Sequence, residues 1–362
     1  MRKNTTIILL IIGAVALGAG YLFLNQPESV ETRTLKVYCA GSLLYPLEQV
    51  SEAFMMEHPE IEVHLEGHGS IQVIRHPTEL DDPADLLLVA DYSLIPAMMY
   101  NKPVPDMNKN YTDWYIRFAS NEMVLAYTDE SLNKNTINES NWYKILAEPE
   151  VKLGISNPII DALGYRALIL LQLAEEHYKE PQIFEKVLGD WFDPEFETVD
   201  IGTKVVIFVP EQEKPVEDKI SVRASSVQVI PLLQSNSIDY AFLYKSNAEQ
   251  QGLPYITLPD EINLGNPEYD EYYSKAQVRF QHARFQSIGL DRPGKTIYYG
   301  LTIAETALNK EDAILLAKYI IDGDGKKIFE TLYHPIYTPS YTDNLSAAPE
   351  ELKQSLEQDP YR

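Results

Sequence analysis

The chain reads as an α/β protein with a parallel sheet and a second lobe, and three observations carry that reading. Strand and helix patterns alternate three times within about the first hundred residues, as parallel sheets with helical crossovers require. Each of the three strands runs into a short polar turn that opens the next helix. At 362 residues the chain is long enough for two domains, each with its own core.

In the first unit, residues 35–40 form an apolar strand stopped by Gly41, and Ser42 is expected to cap a helix whose apolar positions are Leu44, Leu47, Val50 and Phe54. In the second, residues 60–66 alternate apolar and polar as a half-buried strand does, and Gly69-Ser70 precedes a helix over 71–80. The third pairs an apolar strand over 86–90 with a capped helix start at Asp91. Helix starts expose N–H groups and a partial positive charge, and a serine hydroxyl beside them completes a small anion cradle. Two such Gly-Ser turns in successive units read as two halves of one site, on the sheet edge where open α/β folds hold ligands.

The rest of the chain extends the pattern. Residues 116–128 are expected as one long strand carrying the chain into a second lobe. There, 152–156 is a strand, Asn157-Pro158 opens a turn, and an amphipathic helix covers 165–178. Residues 191–200 read as irregular, 204–210 as a strand, 220–223 as a strand leading through Ser225 and Ser226 into a helix, and 239–244 as an aromatic strand. The stretch 258–286 reads as loop and surface helix, 297–303 as a strand, and 311–332 as two helices that return to the first lobe. The polar tail 346–362 is expected to fray.

With 54 acidic against 30 basic residues the net charge is −24. Nucleic acid is excluded as a partner, because phosphate neutralisation needs clustered Lys and Arg. An anion site on such a chain has to work through local dipoles and hydrogen bonds against the overall field. Residues 1–6 are basic and 7–24 apolar, a pattern that fits both a cleaved export signal and an uncleaved membrane anchor, so the rest of the chain is expected outside the cytoplasm. The single cysteine, Cys39, has no partner for an internal disulfide and reads as a buried hydrophobe.

Several motifs together resemble the archaeal tungstate/molybdate-binding proteins, extracytoplasmic receptors of ABC importers. They are Tyr38-Cys-Ala-Gly-Ser-Leu, Gly69-Ser before a helix with Arg75 and Glu79, Ala84-Asp-Leu, Ala90-Asp-Tyr, Ser156-Asn-Pro with Asp161 and Gly164-Tyr-Arg-Ala, Asp239-Tyr-Ala-Phe-Leu-Tyr, and Leu258-Pro-Asp-Glu-Ile-Asn-Leu-Gly. The resemblance covers most of the chain after residue 34. It implies a type II periplasmic-binding-protein fold, with two α/β lobes joined by two crossing strands and the oxyanion held between them. The implied boundaries are a signal or anchor with linker over 1–33, lobe 1 over 34–118 and 291–345, lobe 2 over 119–290, and a tail over 346–362. Matched motif by motif, the first lobe would supply Gly41, Ser42 and Ser70 as N–H and hydroxyl donors. The second would supply Asp161, the backbone of Ala162 and Leu163, and the phenol of Tyr244. The resemblance further implies a monomer that needs no cofactor and has the permease and ATPase of the importer as partners, with membrane contact through the N-terminus where that is retained.

Asp161 carries a negative charge toward an anion. Two readings stand: it reaches the tungsten or molybdenum centre, which accepts a carboxylate oxygen beyond its oxo groups, or it caps a helix. The chain departs from the resembled family at Ser226, which holds the place of a glutamate ligand; its hydroxyl either donates to an oxo group or only caps. The family's proline after the aspartate is also missing, which leaves the Ala162 N–H free to donate. Rival classes are weaker. His64, Glu66 and His68 alternate on a strand but have no further ligand in view, so a solvated strand face is the simpler account. A hydrolase would need a Gly-x-Ser-x-Gly elbow or a Walker loop, neither of which is present, so a binding protein is expected rather than an enzyme. Among binding proteins the nearest alternative is a sulfate or phosphate receptor of the same fold.

Overall fold

A computed structural model describes residues 32–211, 214–281 and 291–360. The expected export signal or anchor falls outside the described residues. Among those described, no helix is long and apolar enough to cross a membrane.

Two sheets organise the chain. The first has seven strands in the order Leu356–Gln358, Ile336–Thr342, Ile116–Ser120, Tyr298–Thr302, Leu86–Val89, Arg33–Ala40 and Ile61–His68. At its centre Val37, Tyr38 and Cys39 run parallel to Leu86, Leu87 and Leu88. All six side chains are fully buried, because helices cover both faces of a parallel sheet and leave no position for polar alternation. The second sheet has five strands in the order Ile220–Arg223, Leu153–Ser156, Tyr240–Tyr244, Met123–Tyr127 and Tyr255–Thr257. A four-stranded sheet extends this lobe, ordered Asp291–Pro293, Ala276–Phe280, Val205–Val209 and Glu197–Asp200.

The chain passes between the lobes twice. Ile116–Ser120 lies in the seven-stranded sheet and Met123–Tyr127 in the five-stranded one, so the single strand expected over 116–128 is two strands divided at Asn121 and Glu122. Asn121 turns its amide oxygen back on the Glu122 N–H, at 3.0 Å, and that turn ends the first ladder. The return runs from Asp291–Pro293 to Tyr298–Thr302, and Tyr298 pairs with Ser120, so the two crossings lie side by side. This is the two-lobed periplasmic-binding-protein architecture.

Three further expectations are corrected. Residues 191–200 contain the strands Phe192–Asp193 and Glu197–Asp200. The stretch 258–286 contains the strand Ala276–Phe280, parallel to Val205–Val209; its alternation of Ala276, Val278 and Phe280 with Gln277 and Arg279 is short and follows a run of Tyr, Asp and Glu that masks it. The described part of the tail, up to Pro360, does not fray. Ala348, Leu352 and Leu356 recur every fourth residue and are buried, Leu356–Gln358 adds a parallel edge strand to Ile336–Thr342, and Asp359 pairs with Arg117 at 3.3 Å.

Candidate functional site

Four helices begin at carboxyl ends of strands and point their N-termini at one place between the lobes. Gly41–Glu57 and Ser70–Glu79 come from the first lobe, Ala162–Tyr178 and Ser226–Gln234 from the second. Their proximity is read from the glycines. A methyl group on Gly41 would lie 3.4 Å from Ser226 Oγ, and one on Gly69 only 2.3 Å from the Ile160 carbonyl oxygen. The Ile71 N–H donates across the gap to that same carbonyl at 3.2 Å. Gly69 therefore lets two backbones from opposite lobes meet where any side chain would hold them apart. Gly164 does the same within the second lobe: a methyl there would lie 2.4 Å from the Ser156 carbonyl oxygen, so glycine alone seats this helix on the Ser156 turn.

Local geometry differs from the expected capping. The extended backbone ends at Ala40 (φ −58°, ψ 141°), so Gly41 is already helical and Ser42 lies in the first turn without capping it. Its Oγ instead accepts from the Tyr299 hydroxyl at 3.2 Å. Ser70 is likewise the first helical residue, after Gly69, and its Oγ accepts from the Ala90 N–H at 3.0 Å. Asp161 stands at the cap position of its helix but makes no cap hydrogen bond there; its Oδ2 accepts from the Ser226 N–H at 3.0 Å, across to a neighbouring helix start. Ser226 is the first residue of that helix, with Ser225 at the cap.

The structure brings the expected residues together. Gly41, Ser42, Ser70, Asp161, Ala162, Leu163, Ser226 and Tyr244 are all buried around the convergence. Burial pushes the Asp161 carboxyl up to about 6, against the lowering influence of the Ser156 hydroxyl, the Ser226 N–H and Arg166. The Tyr244 hydroxyl accepts from Arg166 Nη1 at 2.6 Å, and burial raises its phenol well above the ordinary value although Arg166 opposes it.

Arg166, Tyr299 and Asn121 were not singled out in the sequence. Arg166 is the one basic side chain within the wholly buried run from Ala162 to Ala174, and a lone cation in such a run is a signal that could have found it. Its Nη1 also donates to the Ala90 carbonyl of the first lobe at 2.8 Å, and the next residue back, Tyr165, donates to Asp91 Oδ2 at 2.8 Å. Among the described residues of this region, Arg166 Nη2 and Ser225 Oγ are buried without a hydrogen-bond partner. Buried donors left open cost free energy unless something accepts from them. Open donors, four positive helix ends and a guanidinium suit a small multivalent anion. His64 and His68 take no part: His64 is exposed, and His68 stacks on His76 with ring centres 4.4 Å apart.

Residues 35–331 match the family described as bacterial extracellular solute-binding protein, and the chain belongs to that family. It is 39% identical, over 90% of its length and 87% of the relative's, to an uncharacterised solute-binding protein of Methanococcus aeolicus. It is 35% identical, over 98% of its length and 97% of the relative's, to the molybdate/tungstate-binding protein WtpA of Pyrococcus abyssi. In fold it is similar to the periplasmic molybdate-binding protein of Azotobacter vinelandii, with a TM-score of 0.54 at 15% identity over 84% of this chain and all of that one.

Proposed function

We propose that the chain is an extracytoplasmic receptor that captures tungstate or molybdate between its lobes and delivers it to an ABC permease and its ATPase. The observation that carries this reading is the buried convergence of four helix N-termini with the hydroxyls of Ser42, Ser70 and Tyr244, a site rich in donors and set in a strongly acidic chain. Near-full-length similarity to a molybdate/tungstate-binding relative supports the choice of ligand. In this reading the lobes divide at the two crossings, so the expected boundaries of 34–118 with 291–345 and of 119–290 shift: lobe 1 runs through Ser120 and resumes from Tyr298 to Gln358, lobe 2 runs from Met123 to Pro293, and the closing of one on the other buries the oxyanion. Backbone N–H groups of Gly41, Ser42, Ala162 and Leu163 and the three hydroxyls donate to the oxo groups. Asp161 approaches the metal centre, and Ser226, whose N–H is already held by Asp161, offers its hydroxyl to an oxo group. The protein binds and releases its ligand unchanged and acts as a monomer.

Calorimetric titration with tungstate, molybdate, sulfate and phosphate tests this, repeated on Asp161→Ala and Ser226→Glu. The expected result is tight binding of both metal oxyanions, no heat with sulfate, and weaker binding by Asp161→Ala. Binding of sulfate or phosphate without either metal oxyanion would mean that the fold serves a different ligand.

A further inference from the structure

At the crossing between the lobes lies a cavity of about 440 Å³, separate from the cradle. Its walls come from three parts of the chain: Asn121 and Glu122 where the first crossing divides, Lys245 and Gly265 of lobe 2, and Glu330 and Tyr333 of lobe 1. Among the described residues, none of the cradle lines it. A volume of this size takes a small organic molecule.

The charges around it do not balance. Lys245 Nζ lies 2.6 Å from Glu122 Oε1, and the Asn263 amide donates to the other oxygen at 3.1 Å, so this carboxylate is neutralised and satisfied. Glu330 is not: among the described residues its neighbour Lys326 is 3.8 Å away, beyond hydrogen-bond reach, and gives a proton to the Thr338 hydroxyl instead. One turn on stands Tyr333, half-exposed, with φ 63°. It follows the helix Asp324–Thr331 where the chain turns left-handed, a place that glycine fills without steric cost and tyrosine does not. A bulky ring kept in a costly conformation at a cavity wall points to use of the ring there. Pro335 continues this apolar wall.

The cavity is also tied to closure. The helix Lys245–Gln250 begins at its wall, and from the far end Gln250 Nε2 donates to the Leu332 carbonyl of lobe 1 at 2.8 Å. Asn247 of the same helix reaches the Ser42 carbonyl at 3.4 Å. One short helix of lobe 2 thus touches the cavity, the residue before Tyr333, and the cradle.

We propose that this cavity is a second binding site, for a small alkylammonium cation, and that its occupant favours the closed arrangement and so tightens tungstate binding. The ammonium pairs with Glu330 and its carbons lie on Tyr333 and Pro335. Walls drawn from both lobes are complete only when the lobes are together, so the cation binds the closed form better, and the coupling between the two ligands is reciprocal. The coupling rests on the receptor reading above; the site does not.

The probe is butylammonium, with butanol as its uncharged counterpart, in excess sodium chloride so that general attraction to an acidic chain is screened. Ligand-observed NMR measures its binding to the full chain, empty and tungstate-loaded, and calorimetry measures tungstate with and without it. Butylammonium should bind at least about tenfold more tightly than butanol, and Glu330→Gln should remove that preference. Tungstate and butylammonium should each raise the other's affinity about fivefold. Tyr333→Gly should lose the cation while the thermal midpoint holds or rises, because glycine relieves the turn; a lower midpoint with cation binding intact overturns the role of the ring. No binding, butanol bound as tightly as butylammonium, or binding that survives Glu330→Gln overturns the site. Equal affinity for the empty and loaded chains overturns the coupling. If neither tungstate nor molybdate binds, the receptor reading falls and the coupling with it, and the Glu330→Gln comparison still decides the site.

Discussion

Asp161 is the residue on which stability and binding pull in opposite directions. Burial raises its carboxyl to about 6 from 3.8, so the folded chain holds its proton more tightly than the unfolded one. Stability from this group is fully present below the unfolded value and is lost as pH rises through about 6, so at neutral pH the ionised carboxylate is a net cost. Asp161→Asn keeps an oxygen to accept from the Ser226 N–H and removes the charge. We expect it to stabilise the unliganded chain at neutral pH by about 3 kcal/mol in denaturant unfolding while weakening tungstate. Tighter tungstate binding by the variant would assign Asp161 to structure alone.

His334 titrates in the opposite sense. It is fully buried, and burial pushes its imidazole down to about 4 from 6.5, so the unfolded chain takes up a proton that the folded one refuses. Stability from this group is complete above 6.5 and is lost as pH falls toward 4, by about 3 kcal/mol across that window. His334→Gln should flatten this part of the stability profile; the difference between the two chains isolates the imidazole from Asp161. Gly41, Ser42, Ser70 and Asp161 were legible in the sequence because each sits in a short motif at a strand-to-helix turn. Tyr299 and Asn121 were not, because their roles arise from hydrogen bonds between residues more than a hundred positions apart.

At the scale of elements, what matters is how closely helix starts from opposite lobes approach. Gly69 precedes Ser70–Glu79 and touches the Ile160 carbonyl just ahead of Ala162–Tyr178. In Gly69→Ala the added methyl opposes the closed arrangement while leaving each lobe's core untouched. The expected outcome is a tungstate affinity lower by about tenfold or more with little change in the thermal midpoint of the unliganded chain; a matching fall in that midpoint would place the defect within a lobe. The repeated strand and helix alternation of the first lobe was readable because two of its strands are apolar on both faces, Ile61–His68 alternates apolar and polar, and each ends at a turn. Ala276–Phe280 and Leu356–Gln358 were not, since short strands are defined by the partners they pair with, and those partners lie far away in sequence.

For the whole molecule, charge and closure act at different ranges. The net charge of −24 repels a dianion at a distance, while the helix ends and Arg166 attract it only once it is between the lobes. Added salt screens the long-range repulsion more than the buried contacts. Stopped-flow association of tungstate should therefore speed up as ionic strength rises, and slowing would mean that a local basic field steers the ligand instead. Closure is held by contacts of the second lobe on the first: Tyr165 on Asp91, Arg166 on the Ala90 carbonyl, and the Ile160 carbonyl on the Ile71 N–H. Arg166 also holds Tyr244, so one side chain joins the latch to the cradle.

Anomalous diffraction at the tungsten edge from crystals of the tungstate-loaded chain tests the central claim most directly. The account predicts a single strong peak enclosed between the lobes, with oxo groups in hydrogen-bonding reach of Ser42 Oγ, Ser70 Oγ and the Tyr244 hydroxyl, beside Asp161. A peak anywhere else on the chain, or none at saturating tungstate, would contradict it.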